Sequence, residues 1–411
     1  MSSRAQESRL QHGFSLIEIM VGLVIGMVAV LVIYQVFTVA EGFKRNTTAA
    51  GEAQSSGLFS TFVLGMELAN AGSAMATAAP YLAACTDTGN IATTLRPIPV
   101  LITDGGAPTT PDSFVVTYSV STTRTTVTTF NGPNPVAPPL ITPSGTYGGT
   151  DAYQIQSPDG FHVGDLVVAI ADPSKVDPPS SDCASSKVTG VSAPGVIAIQ
   201  LNGDPTNVAN VTITHTATAI NTVQGDGRPG LSTLFNMGPA DRVQKVRYSV
   251  VNGVLYSTPL LDSNGVPAAL PGNPLASNIV NMKVEYGIDA NLDPQGLLDT
   301  WVQATGANGG WDAGALLPAK ITKINQIKAV RIGIIVQSEQ FDKSLAGFTG
   351  GDYTNGDYNW VLFDCPNLVK ANCPGRLTGT VNASAAPPGN WRFRKYETVI
   401  PLRNEIWNKV S

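Results

Sequence analysis

The sequence predicts a mixed α+β fold, in which a long N-terminal helix packs on an antiparallel β-sheet and an additional irregular β-rich region is attached. Three observations lead to this prediction. An uninterrupted apolar run covers 14–37, and at about 1.5 Å per residue it is long enough to cross a bilayer as a helix. Helix-like sequence continues over 38–72. Beyond it, short β-branched and aromatic runs alternate with turns rich in Gly and Pro, which is typical of strands.

Composition narrows the class of protein. The chain has 411 residues, of which 43% are hydrophobic and 13% charged. That length predicts two folded units plus attachments, and the charged share is about half the usual one. Such a composition suits an exported β-rich protein with long loops. A net charge of -5 gives no basic field, so we expect no nucleic-acid binding.

The N-terminus carries the most specific signal. Residues 1–13 form a polar leader with Arg4 and Arg9, which should stay cytoplasmic and place the C-terminal bulk in the periplasm. An ordinary secretory signal would have a small-residue cleavage site after its apolar core, and none follows here. We therefore predict cleavage between Gly13 and Phe14, which removes the leader and keeps the inner-membrane helix 14–37.

The segment His12-Gly13-Phe14-Ser15-Leu16-Ile17-Glu18 resembles the class III signal of type IV prepilins. The resemblance implies a type IV pilin-like fold, cutting by a prepilin peptidase and N-methylation of Phe14. A carboxylate within a membrane segment is costly unless it is paired. The new α-amino group could pair with Glu18 of a neighbouring subunit, and the family implies the same assembly contact. The plainer alternative is that Glu18 snorkels to the interface.

Two further patterns concern the helix. Gly22 and Gly26 have the GxxxG spacing that permits close helix packing, although apolar spans often contain it by chance. In the stem segment 38–72, four apolar residues recur at helical spacing and predict a stripe that packs on a β-sheet of the same chain. They are Phe59, Phe62, Val63 and Met66.

Two β regions are predicted after the stem. Region 73–240 is irregular, with Pro- and Gly-rich loops at 131–150 and 172–194. Region 241–411 is more regular, and its Asn252-Gly253 pair is a strong hairpin signal. The predicted strands are Phe114–Val120, Thr123–Phe130, Asp165–Ala171, Gly195–Leu201, Asn207–Thr216, Arg242–Val251, Val254–Leu260, Ile279–Ile288, Ile324–Gln337 and Trp391–Leu402.

The second β region refines the resemblance. Val246–Tyr256, Val284–Asp289, Lys328–Val336 and Tyr396–Asn404 are similar to blocks of the PilW-type minor pilins. That family implies a non-enzymatic protein that primes or joins type IV pilus assembly at the tip, with other minor pilins, the major pilin and a PilY-type tip adhesin as partners. A J-type pseudopilin of type II secretion and a membrane-anchored binding protein or adhesin that does not assemble remain alternatives.

The four cysteines predict disulfides, because they are even in number and lie in an exported region. Three pairings are open. Cys365 and Cys373 enclose a short loop and are the favoured pair, which leaves Cys85 with Cys183 by elimination. Buried free thiols are the alternative.

Little in the sequence points to catalysis or cofactors. His162 and His215 lie far apart on β segments, and no HExxH, GxSxG or Walker pattern occurs. Asp289, Asn291 and Asp293 alternate like the start of an EF-hand loop, but Pro294 stands where that loop has Gly. A polar turn is the preferred interpretation, with a non-standard calcium site as the alternative, so we expect no enzyme activity and no cofactor.

Overall fold

The structure is a computed structural model. It describes residues 15–73, 98–120, 127–129, 152–155, 160–171, 183–191, 211–215, 231–262, 270–291, 298–305, 310–311, 321–341, 345, 347–365, 373, 375–381 and 391–402. Gly13, Phe14 and Cys85, together with the predicted strand 195–201, lie outside these ranges.

The chain divides into two units, Met1–Glu52 and Ala53–Ser411. Helix α1 (Leu16–Ala69) contributes to both. In the first unit the described residues are nearly all helical. Among the residues described, α1 is the one helix long and apolar enough to cross a membrane.

The second unit is built from antiparallel sheets. Its earlier strands are β1 (Val100–Thr103), β2 (Ser113–Ser119), β3 (Val127–Thr129), β4 (Ala152–Ile155), β5 (Asp165–Ala171), β6 (Cys183–Val191), β7 (Val211–His215) and β8 (Leu231–Pro239). Its later elements are a 3-10 turn (Ala240–Arg242), β9 (Val243–Val251), β10 (Val254–Pro259), β11 (Asn273–Ser277), β12 (Ile279–Ile288), β13 (Thr300–Val302), α2 (Ile321–Gln326), β14 (Ile327–Phe341), β15 (Tyr353–Thr354), β16 (Asp357–Leu362), β17 (Leu377–Val381) and β18 (Trp391–Pro401).

These strands form four sheets in the described part of the chain. Their orders are β1-β2-β9-β10-β11, β13-β12-β14-β18, β15-β16-β17 and β3-β8-β5-β6-β7-β4. Helix α1 followed by antiparallel sheets confirms the predicted α+β class. The hairpin prediction is also confirmed, because β9 and β10 pair across Asn252 and Gly253. Both turn residues have positive φ, 50° and 77°, as this tight turn requires.

The sheet of β12 and β14 divides the core into two layers, since side chains along a strand alternate between its faces. From β14, Val330, Ile332 and Ile334 join the large cluster that contains Leu64 and Leu68 of the helix. On the opposite face, Ile335 of β14 and Phe393 of β18 pack with Trp360 and Leu362 of the three-stranded sheet. Full burial of each such side chain stabilises the fold by about 1.5–3 kcal/mol.

One predicted loop is a strand. Cys183–Val191 falls within the predicted loop 172–194, yet it forms β6 and pairs with β5 from Leu166↔Lys187 to Ile170↔Cys183. Its small and polar residues have little strand propensity of their own, so pairing with the apolar β5 outweighs local preference.

The favoured disulfide is confirmed. Cys365 and Cys373 are bonded, with Cα atoms 5.6 Å apart and a sequence separation of 8. The bond closes the connection between β16 and β17. Cys85 lies outside the described residues, so its pairing with Cys183 stays a prediction.

Candidate assembly surface

The start of α1 carries the candidate assembly residue. The backbone N–H of Ser15 donates to Glu18 Oε2 at 3.4 Å, while the Ser15 carbonyl accepts from the N–H of Glu18 at 3.0 Å. This is one half of a capping box. A carboxylate in the first turn also interacts favourably with the helix dipole. Glu18 is thus held at the helix end, four residues from Phe14, which lies outside the described residues.

From Leu16 to Phe43 the helix is exposed on every side. Its large apolar side chains between Leu16 and Phe43 leave 52–77% of their surface exposed. A Cβ added at Gly22 or Gly26 would meet nothing within 4 Å. In water such a surface would be costly, so it requires lipid or other helices as its surroundings.

In the second unit, the end of α1 docks on the sheets through a narrow face. Ala53, Ser60, Leu64 and Leu68 are all 2% exposed or less. Gly57 belongs to this face, because a Cβ placed there would overlap the ring of Tyr396 in β18. Small residues therefore let the helix approach the sheet closely, and the two leucines fill the core.

The predicted stripe of the stem does not face the sheet. Phe59, Phe62 and Met66 are 48%, 64% and 51% exposed, and Val63 is only half-buried. The prediction that these four residues pack within the chain was wrong. Helical spacing identified an apolar face, but the chain covers the neighbouring face that carries Gly57 and Leu64. Phe59, Phe62 and Met66 form what we call the stem stripe.

A polar contact fastens the helix next to this stripe. The Tyr118 hydroxyl of β2 donates to Glu67 Oε2 at 2.7 Å. Burial, and then the hydrogen bond to Glu67, raise the pKa of Tyr118. The phenol therefore stays protonated and remains a donor at physiological pH. Burial likewise raises the pKa of Tyr248, with the Glu67 charge adding to it.

A buried lysine ties a loop to β12. Lys283 Nζ donates to the carbonyls of Ala107 at 3.0 Å and Thr110 at 2.8 Å, and to Asp112 Oδ1 at 2.8 Å. These acceptors use all three ammonium protons. Asp112 also accepts the N–H of Val284 at 2.9 Å. Both charges are 5% exposed, so each depends on the other to offset its desolvation.

A second buried pair lies on the same face of β12, two residues further along the strand. Arg331 donates from Nε at 2.8 Å and from Nη2 at 2.6 Å to Glu285 Oε2. The guanidinium carbon lies 4.5 Å from the ring centre of Trp301 and 4.3 Å from that of Phe363. Gly375 covers the pair, and any Cβ there would overlap it. Sequence reasoning missed both ion pairs, because their partners are distant in sequence.

The calcium candidate has a polar-turn arrangement. Asp299 Oδ2 accepts from the N–H of Ala290 at 3.0 Å and from Asn291 Nδ2 at 3.3 Å. Asp289 is buried, and Asp293 lies outside the described residues. No group of three or more His, Cys, Asp or Glu side chains suited to a metal occurs in the described ranges.

The histidine candidates also differ in what surrounds them. His162 lines an open cavity of about 380 Å³ with Lys187 and Asp241. Its Nδ1 is 3.7 Å from Asp165, whose carboxylate already accepts from Asn236 Nδ2 at 2.7 Å. His215 lies in β7, on a different strand from any of these residues. Among the residues that the structure describes, these side chains do not form a pair of a nucleophile and a general base.

Models of known families match segments near both ends of the chain. Residues 8–34 match the prokaryotic N-terminal methylation motif, which includes Gly13, Phe14 and Glu18. Residues 247–404 match the model described as type IV pilus-assembly protein W, or PilW. The chain is thus similar to the PilW family over these residues, which we call the PilW domain after the model that they match. The matched segment begins in β9 and ends after β18, so it includes β12, β14 and both partners of the Arg331–Glu285 pair.

Other comparisons are less informative. No curated protein matches the chain. A type IV-like pilin from Thermus thermophilus is similar to this chain, with 11% sequence identity and a TM-score of 0.21. That alignment covers 58% of this chain and 85% of the Thermus chain. The six-stranded sheet precedes the PilW domain and lies outside the matched residues.

Proposed function

We propose that this chain is a minor pilin that primes or joins a type IV pilus at its tip. The observation that carries the proposal is the methylation motif at 8–34, within which an exposed apolar helix begins at Leu16 and holds Glu18 in its first turn. In this proposal the leader stays cytoplasmic, and a prepilin peptidase cuts between Gly13 and Phe14 and methylates Phe14. The head is periplasmic until assembly.

The helix surface supports assembly by lateral packing. Exposed apolar residues lie on all sides of the helix between Leu16 and Phe37, and a helix that is apolar all round belongs in lipid or within a bundle. After the polar stretch 44–57, the stem stripe presents a second exposed apolar patch in the second unit. Helices of other minor pilins and of the major pilin are the partners that would cover both, and Gly22 and Gly26 would allow close approach.

The size of the second unit, which forms the head of the protein, supports a position at the tip. The head contains the six-stranded sheet in addition to the PilW domain. A head of this size is hard to repeat along a thin shaft but easily accommodated at an end. Priming together with other minor pilins, and contact with a PilY-type adhesin, follow as parts of the same proposal. We propose an assembly role without catalysis or a cofactor.

The first test is the intact mass of the membrane-extracted protein, with and without the prepilin peptidase. We expect a mature chain that begins with N-methylated Phe14 and that is absent without the peptidase. A chain that keeps residues 1–13, or one cut beyond Phe37, would contradict the proposal and favour a membrane-anchored binding protein.

The second test separates assembly from anchoring. Glu18→Leu should be cleaved normally but should disappear from sheared pili, because the pairing partner of the new amino group is lost. Glu41→Leu is the matched control, since Glu41 is an exposed carboxylate on the same helix and should be incorporated normally. Equal incorporation of both variants would exclude the role of Glu18. Loss of twitching, rather than of type II secretion, in a deletion strain would separate the pilus from the pseudopilin alternative.

A further inference from the structure

Strand β18 ends its sheet with an unpaired edge. It pairs with β14 on one side, from Ala329↔Pro401 to Gln337↔Phe393, and no described strand lies on its other side. The backbone N–H of Leu402 donates to Lys328, and that of Arg392 to Ser338 of β14. Because strand hydrogen bonds alternate in direction, even-numbered residues point to β14 and odd-numbered residues point outward.

The outward-pointing backbone N–H and C=O groups of Lys395, Glu397 and Val399 are therefore available to pair with another strand. At the start of β18, the N–H of Phe393 donates to the Tyr353 hydroxyl at 3.0 Å, so this donor is already used. The edge strand β1 differs, since the Tyr286 hydroxyl accepts from Ile102 at 2.6 Å and donates to the Val100 carbonyl at 3.3 Å. An open edge is a template for strand addition.

We propose that the β18 edge pairs with the β18 edge of a second copy of this chain, antiparallel about a two-fold axis at Tyr396. This inference goes beyond the proposed function and does not depend on it. The sheet that contains β12 and β14 would then continue from one copy into the other. Such an interface uses the same surface twice, as two-fold dimers do.

Charge selects this register over its neighbours. An axis at Tyr396 places Lys395 opposite the partner's Glu397, and it does so twice. Shifting the axis by one residue would oppose two Lys395 or two Glu397 side chains, and like charges directly opposite destabilise a strand pair. The preferred register also places Phe393 opposite the partner's Val399, which is 57% exposed in the single chain.

The charges are held where this register needs them. Lys395 Nζ donates to the Val361 carbonyl at 2.7 Å, and Glu397 Oε2 accepts the N–H of Phe363 at 3.1 Å. Both side chains remain partly exposed, at 41% and 35%, and within one chain Lys395 Nζ lies 3.9 Å from Glu397 Oε1. Since exposed ion pairs contribute little free energy, the backbone hydrogen bonds supply affinity while the charges select the register.

The test is the molar mass of the full chain in detergent, measured by light scattering over a concentration series. We expect the wild-type protein to reach the mass of two chains. Val399→Pro removes an outward donor without affecting the pairing with β14, and should weaken dimerisation by at least about tenfold. Lys395→Glu should do the same, and Lys395→Glu combined with Glu397→Lys should restore the dimer.

The controls exclude other causes. Arg242→Glu reverses an exposed charge outside β18 and should leave the dimer intact. A wild-type monomer, or a dimer that survives Val399→Pro because the apolar helices hold it, would overturn the proposal. Leader cleavage should be unchanged in every β18 variant, so failure of the dimer and failure of the pilin assignment give different results.

Discussion

At the scale of single residues, the second unit depends on charges that are buried with their partners. Asp112 with Lys283 and Glu285 with Arg331 lie on the same face of β12, because Lys283 and Glu285 are two residues apart. A buried pair adds little net stability over an apolar replacement, but losing one member leaves an uncompensated charge. Replacing one member should therefore lower the free energy of unfolding by much more than the intact pair contributes to it.

Glu285→Ala tests this directly. It leaves the Arg331 guanidinium, which is 8% exposed, without its carboxylate, and should lower the free energy of unfolding by about 3–5 kcal/mol. The matched control is Asp364→Ala, which removes the exposed partner of Arg376 and should cost no more than about 1 kcal/mol. Denaturant unfolding of the detergent-solubilised chain measures both. Similar losses for the two variants would contradict the buried-pair argument.

The tyrosine contact with the helix is a smaller effect of the same kind. Tyr118→Phe keeps the ring but removes the donor to Glu67, so it should lower the free energy of unfolding by about 1–2 kcal/mol. Tyr256→Phe, in β10 of the same sheet, serves as control and should stay within about 0.5 kcal/mol. An unchanged unfolding midpoint for Tyr118→Phe would mean that Glu67 finds another donor.

At the scale of elements, the docking of α1 on the sheets depends on small residues. Gly57 lies under the Tyr396 ring, whereas a Cβ at Gly65 would meet nothing within 4 Å. Both glycines are inside the helix, where Ala has a higher helix propensity by about 1 kcal/mol. Alanine substitutions at these two positions therefore distinguish the effect of helix propensity from the effect of packing.

Gly57→Ala and Gly65→Ala should change stability in opposite directions. Gly65→Ala should raise the thermal midpoint, because the gain in helix propensity meets no steric cost. Gly57→Ala should lower it, because the ring must move and an overpacked contact costs about 1–3 kcal/mol. Differential scanning calorimetry in detergent compares them. Stabilisation by both substitutions would show that the Tyr396 ring can move aside at little energetic cost.

The elements also show how far sequence reasoning extends. Asp165–Ala171 and Ile279–Ile288 were predicted with the bounds of β5 and β12, because β-branched runs between turn residues specify strands locally. The stem stripe was misassigned, because periodicity reveals an apolar face but not what covers it. Likewise Cys183–Val191 was missed as a strand, since its pairing with β5 comes from the fold rather than from its own residues.

At the scale of the whole molecule, exposed apolar surface is concentrated on one element. Helix α1 exposes large apolar side chains from Leu16 to Phe43 and again from Leu58 to Met66, while the rest of the described chain exposes only scattered ones such as Val163 and Val251. A continuous apolar surface indicates an interaction site, and scattered residues do not. The methylation motif and the distribution of this surface thus support the same proposal.

The stem stripe predicts a defect in assembly without a defect in folding. Phe62→Ser removes a side chain that is 64% exposed, so the free energy of unfolding should change by no more than about 0.5 kcal/mol. Recovery of the protein in sheared pili should fall, because a neighbouring helix loses an apolar contact. Val251→Ser, at an exposed position near the β9–β10 turn, is the control and should assemble normally. Undiminished recovery of Phe62→Ser would exclude the stripe from the filament.

The contact between Lys283 and Asp112 limits how early the protein can fold during its synthesis. Lys283 follows Asp112 by 171 residues, and β2 pairs with β9 across a similar span. A ribosome that adds about 5–20 residues per second needs many seconds to bridge such a gap. Throughout that interval Asp112 has no Lys283 to pair with, although β1 and β2 can already pair with each other. A nascent chain halted before Lys283 should therefore be more protease-sensitive than the complete chain. Because long-range contacts of this kind form slowly, this part of the fold can be completed only after the last third of the chain has begun to emerge.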